Sequence, residues 1–210
     1  WRPIDTEELT GKTIGIVGYG GIGAMVAKLA CAFDMRVIAT KRHRVEDPNL
    51  DKWFAPERLA DLLSEADFVV ITVPLMDETR GLIGAAQIAH MKPSAVLSNV
   101  ARGGIIDERA RVTALTEGRM AGAVLDVMEQ EPLQIDSPLW DVPNLVLTPH
   151  DSGDSPLGFT RTVDGWLRNL THYVLSEPLE GVAISTTGSK RIVAVVNCPD
   201  MILADLAGLG

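Results

Sequence analysis

The stretch Thr13–Gly23, with the sequence TIGIVGYGGIG, decides the fold of this chain. Its apolar run Ile14–Val17 predicts a strand, and three glycines follow at the spacing Gly-x-Gly-x-x-Gly. A helical pattern over Ile22–Phe33 comes next, and a second apolar run covers Arg36–Ala39. This order of strand, tight turn, helix and strand is typical of a site that binds the pyrophosphate of a dinucleotide.

The glycines of this turn allow a sharp bend, a close approach of the backbone to phosphate groups, and tight packing of helix on strand. The helix that follows presents free N–H groups and a partial positive charge at the same point. The alternative interpretation is a plain structural turn. We predict that the whole turn contacts a dinucleotide cofactor, through Gly18, Tyr19, Gly20, Gly21, Ile22 and Gly23.

The rest of the chain continues the alternation of strands and helices. Apolar runs predict further strands at 68–73, 95–100, 121–127 and 145–148. Helical patterns cover 56–66, 85–91, 107–117 and 156–176. Six strands in this alternation predict an α/β fold, a doubly wound parallel sheet of the Rossmann type with helices on both faces.

The composition excludes several classes of protein. The formal net charge is −9 and no long basic run is present, so we expect no nucleic-acid partner. No apolar run is long enough to span a bilayer, and no secretory signal opens the sequence. Two cysteines exclude a disulfide scaffold and favour a reducing compartment, so we expect a cytoplasmic protein. No Cys/His cluster has the spacing of metal ligands, so we predict no metal.

Candidate catalytic side chains follow three successive predicted strands. Ligands of open α/β sheets bind just past the carboxyl ends of the strands, where Arg102, Glu131 and His150 lie. Histidine exchanges a proton near neutral pH, a carboxylate fixes its tautomer, and arginine binds a carboxylate through two parallel hydrogen bonds. The three together predict acid–base chemistry on a carbonyl or hydroxyl group. The alternative is a loop histidine with solvated turn charges.

Several stretches in combination resemble one known family. Over about 1–180 the chain is similar to the nucleotide-binding part of the D-isomer-specific 2-hydroxyacid dehydrogenases, among them the glyoxylate/hydroxypyruvate reductases. The resemblance implies hydride transfer between NAD(P)H and a small 2-oxo or 2-hydroxy acid of D configuration. The matching stretches are Leu9–Gly23, Pro74–Ile83, Asn99–Glu108, Leu125–Leu133, Pro138–Asn144 and Thr148–His150.

The same resemblance implies a role for each site residue. Arg102 resembles the substrate-binding arginine, Glu131 the glutamate that orients the histidine, and His150 the general acid/base. Asp126 resembles the aspartate that contacts the nicotinamide carboxamide. A homodimer through the nucleotide domain is common in the family. Further cofactor contacts are expected at the strand ends and around the histidine, at Val73, Pro74, Val100, Ala101, Arg102, His150 and Gly153.

The second strand ends at a basic cluster where the family usually has an acidic residue. Lys41 occupies the position expected to contact the ribose, and Arg42, His43 and Arg44 follow it. An acidic residue there would repel a 2′-phosphate, whereas basic residues attract it. We therefore predict that NADP(H) is preferred and that NAD(H) is possible, the alternative being a solvated loop.

The resemblance also sets the expected domain organisation. Residues 1–153 would form the dinucleotide-binding domain, and 154–180 a long helix that returns toward the substrate domain. Residues 181–210 leave the family pattern and could begin another domain, with a strand near 191–196. Most of the family's substrate domain is absent from this sequence. A dinucleotide-sensing module like the corepressors of this fold, or an inactive excised nucleotide domain, remain alternatives.

Overall fold

A computed structural model describes residues 7–180, 182–184 and 192–194 of the chain. The chain divides into two compact units, Trp1–His150 and Asp151–Gly210. In the first unit the elements are β1 (Thr13–Val17), α1 (Gly21–Cys31), β2 (Arg36–Thr40), β3 (Lys52–Phe54), α2 (Leu59–Glu65), β4 (Phe68–Ile71), α3 (Ala85–Ile88), β5 (Val96–Asn99), α4 (Glu108–Thr116), β6 (Gly122–Leu125) and β7 (Leu145–Leu147). Short 3₁₀ turns cover Pro56–Arg58, Gly103–Ile105 and Pro138–Asp141.

The strands of the first unit form one parallel sheet in the order β3-β2-β1-β4-β5-β6-β7. The order reverses between β1 and β4, and in such sheets ligands bind in the crevice at this reversal. The predicted doubly wound α/β fold is therefore confirmed. Because all strands are parallel, their carboxyl ends lie along a single edge of the sheet.

The sheet is buried on both faces, as its continuous apolar strands require. Ile16 of β1 belongs to a core cluster that includes Ala27 and Ala30 of α1. The next residue, Val17, belongs to the larger cluster, to which α2 contributes Leu62. Successive residues of one strand thus serve opposite faces, which fixes the register of β1 between its two neighbours.

One strand of the sheet was missed by the sequence analysis. Six strands were predicted, whereas a seventh, β3, pairs with β2 at the edge of the sheet. It is only three residues long and begins with Lys52, so its apolar pattern is too short to indicate a strand. The predicted helix at 107–117 begins at Glu108, and Asp107 caps it by accepting a hydrogen bond from Ala110 N–H at 3.0 Å.

The second unit contains the long helix α5 (Gly158–Val174) and a two-stranded antiparallel pair, β8 (Val182–Ile184) and β9 (Ile192–Ala194). The possible strand near 191–196 is thus found at β9. Most of 181–210, where another domain was suggested, lies outside the described residues. Within the described part of the chain, no helix combines the length and apolar character needed to cross a bilayer.

Candidate active site

The three glycines of the first turn have different surroundings. Gly18 has a φ of +105°, and a methyl group added to it would lie 2.6 Å from Cγ1 of Val73. Gly23 packs so closely on the carbonyl oxygen of Gly18 that no side chain would fit. A methyl group at Gly20 or Gly21 would instead have no neighbour within 4 Å. Gly18 and Gly23 are therefore required by the turn and by close packing, whereas the backbone at Gly20 and Gly21 is open to an approaching ligand.

Two threonines at the ends of neighbouring strands hold this turn. Thr40 Oγ1 accepts a hydrogen bond from Gly18 N–H at 3.2 Å, and Thr72 Oγ1 donates to the Gly18 carbonyl at 2.6 Å. Neither threonine was predicted to have a role, although a hydroxyl residue at the end of a buried strand could have indicated one. The Tyr19 side chain is buried in the core. Its predicted contact with a cofactor could therefore be made only by its backbone atoms.

The basic segment Lys41–Arg44 begins directly at the end of β2. Its first peptide unit is tied to β3, because Lys41 N–H donates to the Phe54 carbonyl at 3.2 Å. The indole Nε1 of Trp53 donates to the Lys41 carbonyl at 2.9 Å. All four side chains, those of Lys41, Arg42, His43 and Arg44, are at least partly open to solvent at the edge that carries the glycine turn.

The loop after β5 is organised by a fully buried asparagine. Asn99 donates through Nδ2 to the Arg102 carbonyl at 2.9 Å and accepts from Ala101 N–H at 3.0 Å. These bonds fix the backbone of the segment that carries Val100, Ala101 and Arg102, three predicted ligand contacts. The Arg102 side chain is exposed. No sequence pattern had assigned a role to Asn99 itself.

The structure pairs two of the three predicted catalytic side chains. Nδ1 of His150 lies 2.7 Å from Oε2 of Glu131. The other carboxylate oxygen, Oε1, accepts a hydrogen bond from Met128 N–H at 2.8 Å. Both side chains keep part of their surface in solvent. Because Glu131 engages Nδ1, the opposite ring nitrogen, Nε2, is the one left to exchange a proton with a ligand.

The backbone of His150 is strained. Its φ of +59° lies in the left-handed region, which non-glycine residues seldom adopt. Such conformations persist only where the surrounding structure imposes them, and they cluster at functional sites. The strain, together with the Glu131 contact, marks His150 as a residue whose position is strongly specified.

Asp126, the predicted carboxamide contact, is almost completely buried at the end of β6. Oδ1 of Asp126 accepts a hydrogen bond from the Thr148 hydroxyl at 2.6 Å, and its N–H donates to the Asn99 carbonyl at 3.0 Å. The residue therefore joins the ends of β5, β6 and β7. The role of Thr148 was not predicted, although it stands two residues before the histidine.

The loop of Arg102 packs against the loop of Glu131. The α-carbon of Gly103, the neighbour of Arg102, packs directly on the backbone of Met128 and Glu129. Arg102, Glu131 and His150 follow β5, β6 and β7, which are adjacent and parallel. The structure thus brings Glu131 and His150 into contact and places the Arg102 loop against the Glu131 loop.

The remaining predicted cofactor contacts are Val73 and Pro74 in the first unit and Gly153. Val73 contacts Gly18, and the Pro74 carbonyl accepts a hydrogen bond from the Thr79 hydroxyl at 2.6 Å. Gly153 belongs to the second unit. Among the residues that the structure describes, no group of three or more His, Cys, Asp or Glu side chains is arranged to hold a metal ion.

A cavity of about 660 Å³ adjoins the histidine–glutamate pair. Its walls are mainly apolar, so the cavity favours an uncharged, apolar part of a ligand. The lining residues are Met128, Glu131, Pro132, Leu133, Trp140, Leu147, Thr148, Pro149 and His150.

The fold and the open glycine turn define a Rossmann-type dinucleotide-binding domain. Residues 1–152 match the sequence profile of the D-isomer specific 2-hydroxyacid dehydrogenase, NAD binding domain. The chain therefore belongs to the D-isomer specific 2-hydroxyacid dehydrogenase family, which confirms the resemblance seen in the motifs.

Individual relatives agree with this assignment. A glyoxylate reductase of Aeropyrum pernix is 47% identical over 152 residues, which cover 71% of this chain and 45% of the relative. A family member from Aeromonas salmonicida superposes with a TM-score of 0.78 at 38% identity, covering 86% of this chain and 58% of that one.

An NADPH-dependent glyoxylate/hydroxypyruvate reductase of Sinorhizobium meliloti, solved with NADP and sulfate, gives a TM-score of 0.78 at 30% identity, covering 86% of this chain and 58% of that one. The chain spans about half the length of the curated relatives it matches.

Proposed function

We propose that the complete protein transfers a hydride between NAD(P)H and a small 2-oxo or 2-hydroxy acid of D configuration. The observation that carries this proposal is the 2.7 Å contact of His150 with Glu131 at the sheet edge that also holds the glycine turn. The A. pernix and S. meliloti relatives are reductases of glyoxylate and of glyoxylate/hydroxypyruvate. Two-carbon and three-carbon 2-oxo acids are therefore the substrates to test first.

The residues of the turn fit a dinucleotide. The open space at Gly20 and Gly21 would accommodate the pyrophosphate, and the first N–H groups of α1 have no partner within the helix. Asp126 would accept a hydrogen bond from the carboxamide. When bound, the nicotinamide ring supplies or accepts the hydride, which no side chain can do.

The chain's own residues would handle the proton and the substrate. Glu131 holds Nδ1 of His150, so Nε2 can give its proton to the substrate oxygen as the carbonyl becomes a hydroxyl group. The Met128 N–H fixes Glu131 in turn, which supports the orientation of the imidazole. Arg102 would bind the substrate carboxylate through its guanidinium group and draw electron density from the adjacent carbonyl.

We further propose that NADP(H) is preferred over NAD(H). The support is the exposed basic segment Lys41–Arg44 at the end of β2, whose first residue is held by Trp53 and Phe54. A 2′-phosphate there would meet positive charge, whereas the ribose of NAD(H) would find no carboxylate among these four residues. The S. meliloti relative was crystallised with NADP.

A homodimer and a cytoplasmic location also stay proposals. Four apolar side chains support the dimer: three lie on the exposed side of α1 and one lies in the turn just after it, and each is about half exposed. A charged substitution, Leu29→Glu, should then shift the sedimentation coefficient toward the monomer. The cytoplasmic location rests on the low cysteine content. The four apolar side chains are those of Ile22, Met25, Leu29 and Phe33.

The deciding experiment tests glyoxylate, hydroxypyruvate, pyruvate and bulkier 2-oxo acids with NADPH and with NADH on the complete protein. His150→Ala should lower kcat by at least about 100-fold while cofactor binding is kept, with a far smaller change in the Kd of NADPH. Lys41→Ala should weaken the binding of NADPH more than the binding of NADH. Lys28→Ala, on α1, is the matched control. Near-normal turnover of His150→Ala refutes the mechanism, and tighter binding of NADH refutes the cofactor preference.

The same panel separates the alternative functions. A dinucleotide-sensing module would bind NADPH tightly and reduce none of the 2-oxo acids. An inactive excised domain would be silent as the 210-residue chain and active in the longer protein.

A further inference from the structure

Thr148 stands between two groups that the proposed reaction must align. It follows β7 directly and precedes His150 by two residues. Its hydroxyl donates a hydrogen bond to Oδ1 of Asp126 at 2.6 Å, and its N–H donates to the Leu125 carbonyl at 2.9 Å. Thr148 is therefore bonded to the end of β6 through both its side chain and its backbone.

The carboxylate of Asp126 depends on donors of this kind. The residue is 2% exposed, and a buried carboxylate is stable only where hydrogen bonds replace its hydration. The two oxygens of a carboxylate offer about four acceptor positions, so the bond from Thr148 leaves capacity for the amide of a ligand. The bond from Asp126 N–H to the Asn99 carbonyl, at 3.0 Å, holds the backbone at the same point. Thr148 thus restricts the rotation of a carboxylate whose backbone is already fixed.

The proposed reaction requires two positions to agree. The substrate carbon receives the hydride while Nε2 of His150 gives a proton to the substrate oxygen, which converts the 2-oxo acid into the 2-hydroxy acid and NADPH into NADP⁺. Glu131 orients the imidazole, and Asp126 would orient the nicotinamide through its carboxamide. An error of about 1 Å in such an alignment can cost about 100-fold in rate. The hydrogen bond between Thr148 and Asp126 joins the segment of the proton donor to the residue that would hold the nicotinamide.

We propose that Thr148 is a positioning residue, which holds the Asp126 carboxylate in the orientation that the carboxamide needs and couples it to His150. This inference rests on the proposed function. It differs from a purely structural role in the part of the cofactor that is affected. Loss of the Thr148 hydroxyl should disturb the nicotinamide end of the cofactor and leave the pyrophosphate end, at the glycine turn, unchanged.

The test compares the binding of NADPH with that of 2′-phospho-ADP-ribose, which has the same phosphates and adenosine but no nicotinamide. Isothermal titration calorimetry of the complete protein measures both affinities in wild type and in Thr148→Val, which keeps the shape of the side chain but lacks the hydroxyl. We expect the Kd of NADPH to rise about 3- to 10-fold, the worth of one hydrogen bond, and the Kd of 2′-phospho-ADP-ribose to stay within about twofold. The kcat for 2-oxo acid reduction should fall about 10- to 100-fold. Thr148→Ser, which keeps the hydroxyl, should restore most of both losses.

Thr72→Val is the matched control, because the Thr72 hydroxyl also donates a 2.6 Å hydrogen bond, but to the Gly18 carbonyl of the glycine turn. We expect it to raise the Kd of both ligands by a similar factor. Equal factors for the two ligands in Thr148→Val, or no change in either Kd, would overturn the role of Thr148. The proposed function would then still stand, provided that the wild type reduces a 2-oxo acid. A wild-type protein that reduces none contradicts both proposals.

A second variant keeps the proposal testable if Thr148→Val does not fold. Thr148 is half-buried, so Thr148→Ala leaves space in which a water molecule can replace the hydroxyl beside Asp126. We expect the same difference between NADPH and 2′-phospho-ADP-ribose in this variant. Its absence in folded Thr148→Ala would equally overturn the proposal.

Discussion

The α-carbon of Gly103 packs on the backbone carbonyl of Met128 so closely that a methyl group would overlap both the carbon and the oxygen. This contact joins the loop of Arg102 to the loop of Glu131. Neither partner can give way easily, because the obstructing atoms belong to backbone and not to a flexible side chain.

We therefore expect Gly103→Ala to destabilise the protein by about 1–3 kcal/mol, the usual range for overpacking. Gly104→Ala is the matched control, since its nearest neighbour is the flexible end of Arg80, at 3.3 Å. Urea unfolding of the two variants measures the difference. Equal stability of the two alanine variants would contradict the described packing.

The left-handed backbone conformation of His150 should make glycine more stable than alanine at this position. With φ at +59°, alanine keeps the unfavourable Cβ, whereas glycine adopts this conformation freely. We expect His150→Gly to be more stable than His150→Ala by about 1 kcal/mol, although both lack the imidazole. Chemical unfolding of the two variants checks this.

The control lies in the middle of α4. At the exposed helical residue Thr113, Thr113→Ala should instead be more stable than Thr113→Gly by about 1 kcal/mol. The same order at both positions would show that His150 is unstrained.

Glu65 should make the stability of the fold depend on pH. Its carboxylate bonds Lys52 Nζ at 2.6 Å and Arg36 Nη2 at 2.8 Å, which joins the end of α2 to β3 and β2. Hydrogen bonds from Lys52 and then Arg36 lower the pKa of Glu65 below its ordinary value of 4.5. A depressed pKa in the folded state stabilises the protein above about pH 4.5, and this contribution is lost as the pH falls through the folded-state value.

Glu65→Gln should therefore cost about 1 kcal/mol at pH 7, because the partners are partly exposed and the bonds are screened by water. The difference from wild type should shrink as the pH falls below about 4.5. Exposed Glu57, on the 3₁₀ turn before α2, provides the control Glu57→Gln. A gap between wild type and Glu65→Gln that is constant with pH contradicts the assignment.

Trp53 should influence cofactor choice without touching the charge of the basic segment. Its indole N–H donates a hydrogen bond to the Lys41 carbonyl at 2.9 Å. Phenylalanine would keep an aromatic side chain at this position but lose that bond. We expect Trp53→Phe to raise the Kd of NADPH about 3- to 10-fold, the worth of one hydrogen bond, with little change for NADH.

Trp140→Phe is matched to it, because that indole donates to the Gln134 carbonyl at the same 2.9 Å in a different loop. Fluorescence titration with both nucleotides measures the four affinities. An equal change in the Kd values of NADPH and NADH would show that Trp53 has no part in discriminating between the two cofactors.

Local patterns were enough to predict most of the architecture. The alternation of apolar runs with helical periodicity implies a parallel sheet, because parallel strands are buried on both faces and need helical crossovers. The edge strand β3 escaped prediction, since three residues with Lys52 first carry too little periodicity. Its existence depends on pairing with β2, which no local pattern encodes.

The sequence by itself determined the sheet, the glycine turn and the candidate groups, because Arg102, Glu131 and His150 each follow a strand of a parallel sheet, whose carboxyl ends share one edge. The family resemblance also implied that Glu131 orients His150, whereas only the tertiary structure gave the geometry of their contact. The 2.7 Å distance between His150 Nδ1 and Glu131 Oε2, the left-handed backbone at His150 and the burial of Arg111 beside Glu108 all depend on packing. Distances of this kind are set by the summed packing of the whole sheet, whereas local sequence controls only the conformation of a few consecutive residues.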